Sequence, residues 1–301
     1  MERFQRSGYF ELVGTEETAS ALNVDGWLIE GRAQIALVIG AGFGAETLAG
    51  RRPQVQLVAD GTDANSAVVG LGYATRLLSR LGVERPAPVE LRPRVLYNPD
   101  LKSRWFYVPA VLAMVLMLVT MMLPSMAVVR EKEIGTLEQI IVTPLRPWQL
   151  LVGKLLPFVV IGILDMLLVT LVARTVFGVP LRGSLLLLTG LTLRYLLSTL
   201  GLGLLVSTLV STQQQAMMFS AFVLMVPMIY LSGLIFPIKN MPGGFQLFSY
   251  IIPVRYYANI LRGVFLRGSG LDVLWPDALA LLVIGTVVLG LAVSRFRKSL
   301  D

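Results

Sequence analysis

Residues Arg130–Lys154 read REKEIGTLEQIIVTPLRPWQLLVGK, an island of charge and amphipathic character between two runs of almost pure hydrocarbon, Phe106–Val129 and Leu155–Phe177. Runs of that length cross a bilayer, because a core about 30 Å thick needs roughly 20 apolar residues in a helix. The island is therefore a loop between two membrane spans. Arg130-Glu131-Lys132-Glu133 forms a charged exit from the membrane. Ile134, Leu137, Ile140 and Ile141 put one apolar face on a short helix, which Thr143-Pro144 ends. Leu145-Arg146-Pro147 then turns the chain, and Trp148 takes headgroup depth before the next span.

Outward from the island, the same length criterion marks five spans, at about 106–129, 155–177, 184–208, 216–236 and 276–294. Pro124, Pro157 and Pro227 lie inside them. In lipid such residues persist where neighbouring helices cover the freed backbone groups, so they point to a bundle rather than to separate anchors. Gly201, Gly203 and Ser207 suit close helix packing in the third span. Composition agrees: the 301 residues are 55% hydrophobic and 15% charged, against about 25% charged in a soluble globule. Residues 1–104 carry 12 basic and 12 acidic side chains, whereas 105–301 carry 14 and 7, so the whole +7 excess belongs to the apolar part. Basic residues that flank apolar spans contact the membrane surface, and nucleic acid is not expected as a partner. With no cysteine and no histidine, disulfides, thiol nucleophiles and the usual zinc sites are excluded.

Orientation follows from positive charge. The tail Arg295-Phe296-Arg297-Lys298 and the island residues Arg130, Lys132, Arg146 and Lys154 belong in the cytoplasm. Five spans then place residues 1–104 outside, together with the segment 237–275. The N-terminus MERFQRSGYFELVG holds no apolar stretch to carry that domain across, so a further span upstream of Met1 is expected in the native product.

Residues 1–104 read as a small α/β unit. Ala33–Gly40 is a buried strand, a short helix follows at about Ala45–Ala49, and Gln54–Ala59 is a second strand. Asn65–Leu81 is a longer helix with Ala67, Leu71, Ala74, Leu78 and Leu81 on one face. Arg85–Arg94 reads as a proline-rich linker and Val95–Asn98 as a last strand. The turn Gly40-Ala41-Gly42-Phe43-Gly44-Ala45, with Asp60 ending the next strand, resembles a dinucleotide fingerprint. Its helix has room for barely two turns, too short for a doubly wound sheet, so a Gly-rich turn is the better reading and a membrane-anchored oxidoreductase the lesser alternative. Gly153-Lys154 lacks the glycine loop of an ATP site, and no nucleotide site is visible in the chain.

Two charges lie near mid-span, Asp165 and Arg194. Consecutive spans run antiparallel, so the two residues share a depth, and a pair is expected that fixes helix register or lines a substrate path. Beyond the fourth span, Phe236, Pro237, Pro253, Arg255, Tyr256 and Arg262 belong to an outer segment broken into two amphipathic pieces, Phe245–Ile251 and Val254–Phe265. Phe245, Phe248, Tyr250, Tyr256 and Tyr257 make an aromatic belt there, and the segment reads either as an outer gate or as an interface anchor.

From residues alone, the island is either an interfacial helix resting on lipid or a stiff element that carries force from a soluble partner into the two spans it joins. Resemblance separates these. The run EKEIGTLEQIIVTPLRPWQLLVGKLLPF resembles the cytoplasmic loop of ABC-2 type permeases, the membrane subunits of ATP-binding-cassette exporters. Glu131, Glu133, Gly135, Thr136, Leu137, Glu138, Gln139, Thr143, Pro144, Arg146, Pro147, Gly153 and Lys154 stand where that pattern puts them. Ser232–Pro242, Ile252–Tyr256 and Arg262–Leu266 match a second stretch, and Val58–Asn65 a third.

The resemblance implies a helical bundle of six spans in the full family pattern, five of them here, with a small N-terminal extracytoplasmic α/β domain. It implies a coupling helix at about Glu131–Val142, in which Glu131, Glu133, Ile134, Gly135, Thr136, Leu137, Glu138 and Gln139, with Pro144 and Arg146 beyond, meet a separate ATPase subunit. ATP and Mg would sit on that partner, and this chain would bind no cofactor or metal and catalyse no covalent step. A second permease copy, identical or related, would complete the path in a bacterial inner membrane, and a periplasmic membrane-fusion protein is a further possible partner. The external domain favours export of small hydrophobic or amphipathic molecules over a lipid-linked glycan.

Overall fold

A computed structural model of the chain describes residues 4, 7–15, 23–49, 54–83, 90–135, 147–234, 238 and 241–298. The chain divides into two compact units, Met1–Phe106 and Tyr107–Asp301.

The first unit contains α1 (Asn23–Ile29), β1 (Ile35–Ile39), α2 (Phe43–Leu48), β2 (Gln54–Asp60), α3 (Ala64–Val83) and β3 (Glu90–Leu96). The strands form one sheet in the order β1-β2-β3, with β2 antiparallel to β1 and parallel to β3. The long helix α3 supplies the crossover that a parallel pair needs. Its apolar stripe buries Ala74 and Leu78 against Val55 and Leu57 of β2, with Ile35, Leu37 and Leu71 at the margin. The residues read as the end of a linker belong to β3 instead: Pro93 pairs with Leu57 at mid-strand. A proline lacks the N–H a central strand must donate, but β3 lies at the sheet's edge, where that loss is tolerated.

This topology removes the dinucleotide reading. β1 and β2 are antiparallel and α2 has six residues, so no parallel βαβ unit surrounds the glycine turn. Asp60 closes its own turn, accepting from the Thr62 N–H at 2.9 Å and the Thr62 hydroxyl at 2.6 Å. A Cβ on the intervening Gly61 would fall 2.6 Å from the Leu96 carbonyl oxygen, so only glycine fits there.

In the second unit, α4 (Ser103–Ile134), α5 (Pro147–Thr175), α6 (Leu185–Leu209) and α7 (Gln213–Leu231) are followed by the short helices α8 (Gly243–Ser249) and α9 (Pro253–Arg262), and then by α10 (Leu271–Lys298). Among the described residues, the five long helices have the length and composition to cross a membrane, as the apolar runs anticipate. Their packing is organised around α6. A Cβ on Gly203 would fall 2.4 Å from the Met121 carbonyl oxygen of α4, and one on Gly201 would fall 3.1 Å from the Leu289 nitrogen of α10. Small residues thus let two backbones close on α6, as in other membrane bundles.

Polar side chains sharpen that packing. The Thr120 and Thr199 hydroxyls meet at 2.7 Å, Tyr195 donates to the Ala113 carbonyl at 3.0 Å, and Ser198 donates to the Leu281 carbonyl at 3.1 Å. Helix α5 packs through Gly162, whose absent side chain leaves room for Leu196 and Thr120.

Helix α9 is inserted among these elements. Val254, Tyr257, Ala258, Ile260 and Leu261 are buried, and the wider turn that follows, Gly263–Arg267, buries Val264, Phe265 and Leu266. The last carbonyls of a helix have no partner within it, and two of them are used here: those of Val264 and Phe265 accept from the N–H groups of Gly183 and Arg182 at 2.8 and 3.1 Å. Helix α7 also contains a widened stretch, Phe219–Met225, directly before Pro227. Proline cannot donate to the residue four back and its ring crowds that carbonyl, so a wider turn accommodates it.

Candidate functional site at the root of the polar loop

Helix α4 does not stop where its hydrocarbon does. Arg, Glu and Lys are good helix formers, and the helix runs through Arg130–Glu133 to Ile134. Gly135 ends it at φ +77°, a left-handed conformation that glycine adopts without strain at a helix C-terminus. Ile134 is thus the last residue of α4, 63% exposed, and not the first residue of a separate amphipathic helix with Leu137. Thr136, Leu137, Glu138, Gln139, Pro144 and Arg146 fall outside the described residues.

The last turn of α4 ties three other helices together. Glu131 forms an ion pair with Lys154 of α5, which leaves the side chains 33% and 16% exposed and closes the loop at its base. Lys132 donates from Nζ to the Ser207 carbonyl, 3.4 Å away in the last turn of α6. Glu133 accepts from the Gln213 backbone N–H at 2.9 Å and from its Nε2 at 2.7 Å, at the first turn of α7. Below them Val129 of α4, Val206 of α6, Val210 just beyond it and Ala216 of α7 pack in one apolar cluster. The sequence marks Glu131 and Glu133 as residues that meet an ATPase, Lys132 only for its charge, and Gln213 not at all. No local pattern marks a contact between residues 80 positions apart.

The mid-span charges are not brought together. Among the described residues no ion pair joins Asp165 to Arg194, and Asp165 Oδ2 is buried there without a hydrogen-bond partner. The expected pair fails on azimuth rather than depth. Helix α5 meets α6 on the face of Leu196, and Arg194 lies two residues away, about 200° round the helix at 3.6 residues per turn. Beside this region Leu112 and Leu116 of α4, Met166, Val169 and Thr170 of α5, and Tyr257 and Leu261 of α9 line a small apolar crevice.

The outer segment divides into unlike halves. Arg255 lies over the ring of Tyr250 at 4.3 Å and donates to the Ser249 hydroxyl, while Tyr256 donates to the Tyr250 carbonyl at 2.8 Å. Pro253 is buried at the start of α9, Arg262 is half-buried at its end, and Phe236 and Pro237 fall outside the described residues. Tyr257 leaves the expected aromatic belt altogether: fully buried, it stacks on Tyr195 at 4.1 Å between ring centres and shares a 2.9 Å hydrogen bond with Thr192.

A helical membrane bundle whose first long helix ends in a charged turn tied to three other helices is the class of protein that these features define. A family model described as "ABC-2 family transporter protein" matches residues 1–294, and the chain belongs to that family. The probable multidrug ABC transporter permease YbhR of Escherichia coli (strain K12) is 36% identical over 250 residues, which cover 81% of this chain and 68% of that protein. The probable multidrug ABC transporter permease YbhS of the same strain is 34% identical over 255 residues, covering 82% and 68%. The inner membrane transport permease YhhJ, also of that strain, is 30% identical over 295 residues, covering 94% and 78%. The chain is accordingly an ABC transporter permease of the multi-pass membrane type.

Proposed function

We propose that this permease exports a small hydrophobic or amphipathic compound from the cytoplasm or the inner leaflet, driven by ATP hydrolysis on a separate nucleotide-binding subunit. The relatives named as multidrug permeases support the compound class. Loop 136–146 and the basic tail lie in the cytoplasm on this reading, and the first unit lies outside. ATP and Mg are held by the partner, so this chain contributes movement and no covalent chemistry. A second permease copy completes the path in the bacterial inner membrane, and a periplasmic membrane-fusion protein meets the outer side.

The observation that carries the coupling role is the loop root. Glu131, Lys132 and Glu133 are consecutive, yet each holds a different helix. An amphipathic loop resting on lipid has no need of such ties, whereas one that is pushed by a partner needs them to transmit the push. Asp165, with a buried oxygen that no described protein group satisfies, fits the substrate path better than a register pin. Arg255, Tyr256 and Arg262, half-buried on α9, form the outer gate with the segment around Phe236 and Pro237.

Cysteine cross-linking tests the coupling role cleanly, because the chain has no cysteine of its own. Thr136→Cys and Leu137→Cys are expected to capture the ATPase subunit in intact membranes and to be shielded from reagents added outside the cell. Capture of no ATPase, or reaction only from outside, would end this reading.

A further inference from the structure

We propose that Lys132 and Glu133 are positioning residues, a latch through which loop 136–146 steers α7 as well as the two spans the loop joins. The proposal rests on the coupling reading above and extends it to a helix 80 residues away in sequence.

The latch matches charge to helix ends. Helix α6 ends at Leu209 and α7 begins at Gln213, so the three-residue turn between them presents the carbonyl end of one helix and the N–H end of the next. The last carbonyls of a helix carry partial negative charge and the first N–H groups partial positive charge. Lys132 places its ammonium on the Ser207 carbonyl, and Glu133 places its carboxylate on the Gln213 N–H. Two neighbouring side chains of opposite sign thus grip two neighbouring helix ends of opposite polarity. The Gln213 amide adds a second bond to Glu133, and Thr212 caps the Gln215 N–H, so Glu133 takes a donor that the local cap leaves over.

Helix α7 is the span for which such a grip matters most. Only 11% of its most apolar stretch is buried within the chain, against 56% for α6, so side-chain packing restrains it least. Its widened turn at Phe219–Met225, next to Pro227, gives it a place to bend above the point where it is held. A displacement of loop 136–146 therefore reaches α7 at its base, through Glu133, and α6 through Lys132.

The test uses the complete transporter with its ATPase partner in proteoliposomes and reads alkylation rates of single cysteines with and without vanadate-trapped nucleotide. Met217→Cys reports on α7 and Leu156→Cys on α5, both at exposed positions. In the otherwise native protein both rates should change on trapping. The double reversal K132E/E133K, which keeps net charge, should abolish the Met217→Cys response and leave that of Leu156→Cys intact. The swap E133Q/Q213E should retain the α7 response, because the amide introduced on α4 can accept from the backbone N–H and donate to the carboxylate introduced on α7. If the double reversal does not assemble, E133A carries the same expectation. An α7 response that persists in K132E/E133K or E133A, or that the swap destroys, overturns the latch and leaves the coupling reading standing. A native protein in which neither cysteine responds overturns both.

Discussion

Helices α6 and α7 are neighbours in sequence and both long and apolar enough to cross a membrane, yet they are opposite in construction. Along α6 nearly every turn presents a small or hydroxyl-bearing residue to a partner: Thr192 to α9, Ser198 and Gly201 to α10, Thr199 and Gly203 to α4. Along α7 the large residues Met217, Met218, Phe222, Val223 and Tyr230 are exposed, Phe222 by 67%. The same hydrocarbon composition therefore serves two purposes. One helix is packed against its neighbours along most of its length, and the other is held at its base with most of its flank exposed.

Substitutions that attack each helix should break this contrast or sharpen it. The largest effect is expected from Tyr195→Ala, which empties the fully buried stack with Tyr257 and removes the bond to Ala113. A loss of about 3 to 5 kcal/mol is expected for a large-to-small change at such a site, read as a fall in unfolding midpoint in a denaturing-detergent titration. Gly203→Ala should follow at about 2 to 3 kcal/mol, because its Cβ would meet the rigid Met121 carbonyl and force α4 away from α6. The same assay on Gly190→Ala, where a Cβ meets open space, should show no loss. Lys132→Gln, which removes a cation from the α6 C-terminus, should cost only about 0.5 kcal/mol. Phe222→Ala on α7 should alter the unfolding free energy by less than about 0.5 kcal/mol. A Phe222→Ala loss as large as that of Tyr195→Ala would erase the contrast.

Particular elements show how far the residues could be read. The periodicity of Ala67, Leu71, Ala74 and Leu78 foretold α3 because an amphipathic helix writes its buried face into 3.6-residue spacing. Gly201 and Gly203 announced close packing, and the structure supplies the partners, Leu289 and Met121. Pro93 misled, since proline argues against a strand only until the strand is known to lie at an edge. Tyr257 misled for a similar reason: an aromatic ring at an interface and one in a core look alike until its neighbours are placed. At the candidate site, the motif places Glu131, Glu133 and Ile134 on one coupling helix, whereas all three lie in the last turn of α4, which Gly135 ends at a positive φ.

What the sequence determined by itself is what hydrocarbon length and local period control: the apolar spans, where polar loops interrupt them, and a charged exit at the end of one of them. Tertiary structure alone decided rotation and partnership. Asp165 and Arg194 were given a common depth by their positions along two spans, and were kept apart by the direction in which α6 turns its faces. Lys132 found Ser207 and Glu133 found Gln213 for the converse reason. Depth accumulates residue by residue along one helix, but the direction a side chain faces acquires a partner only when another helix is packed beside it.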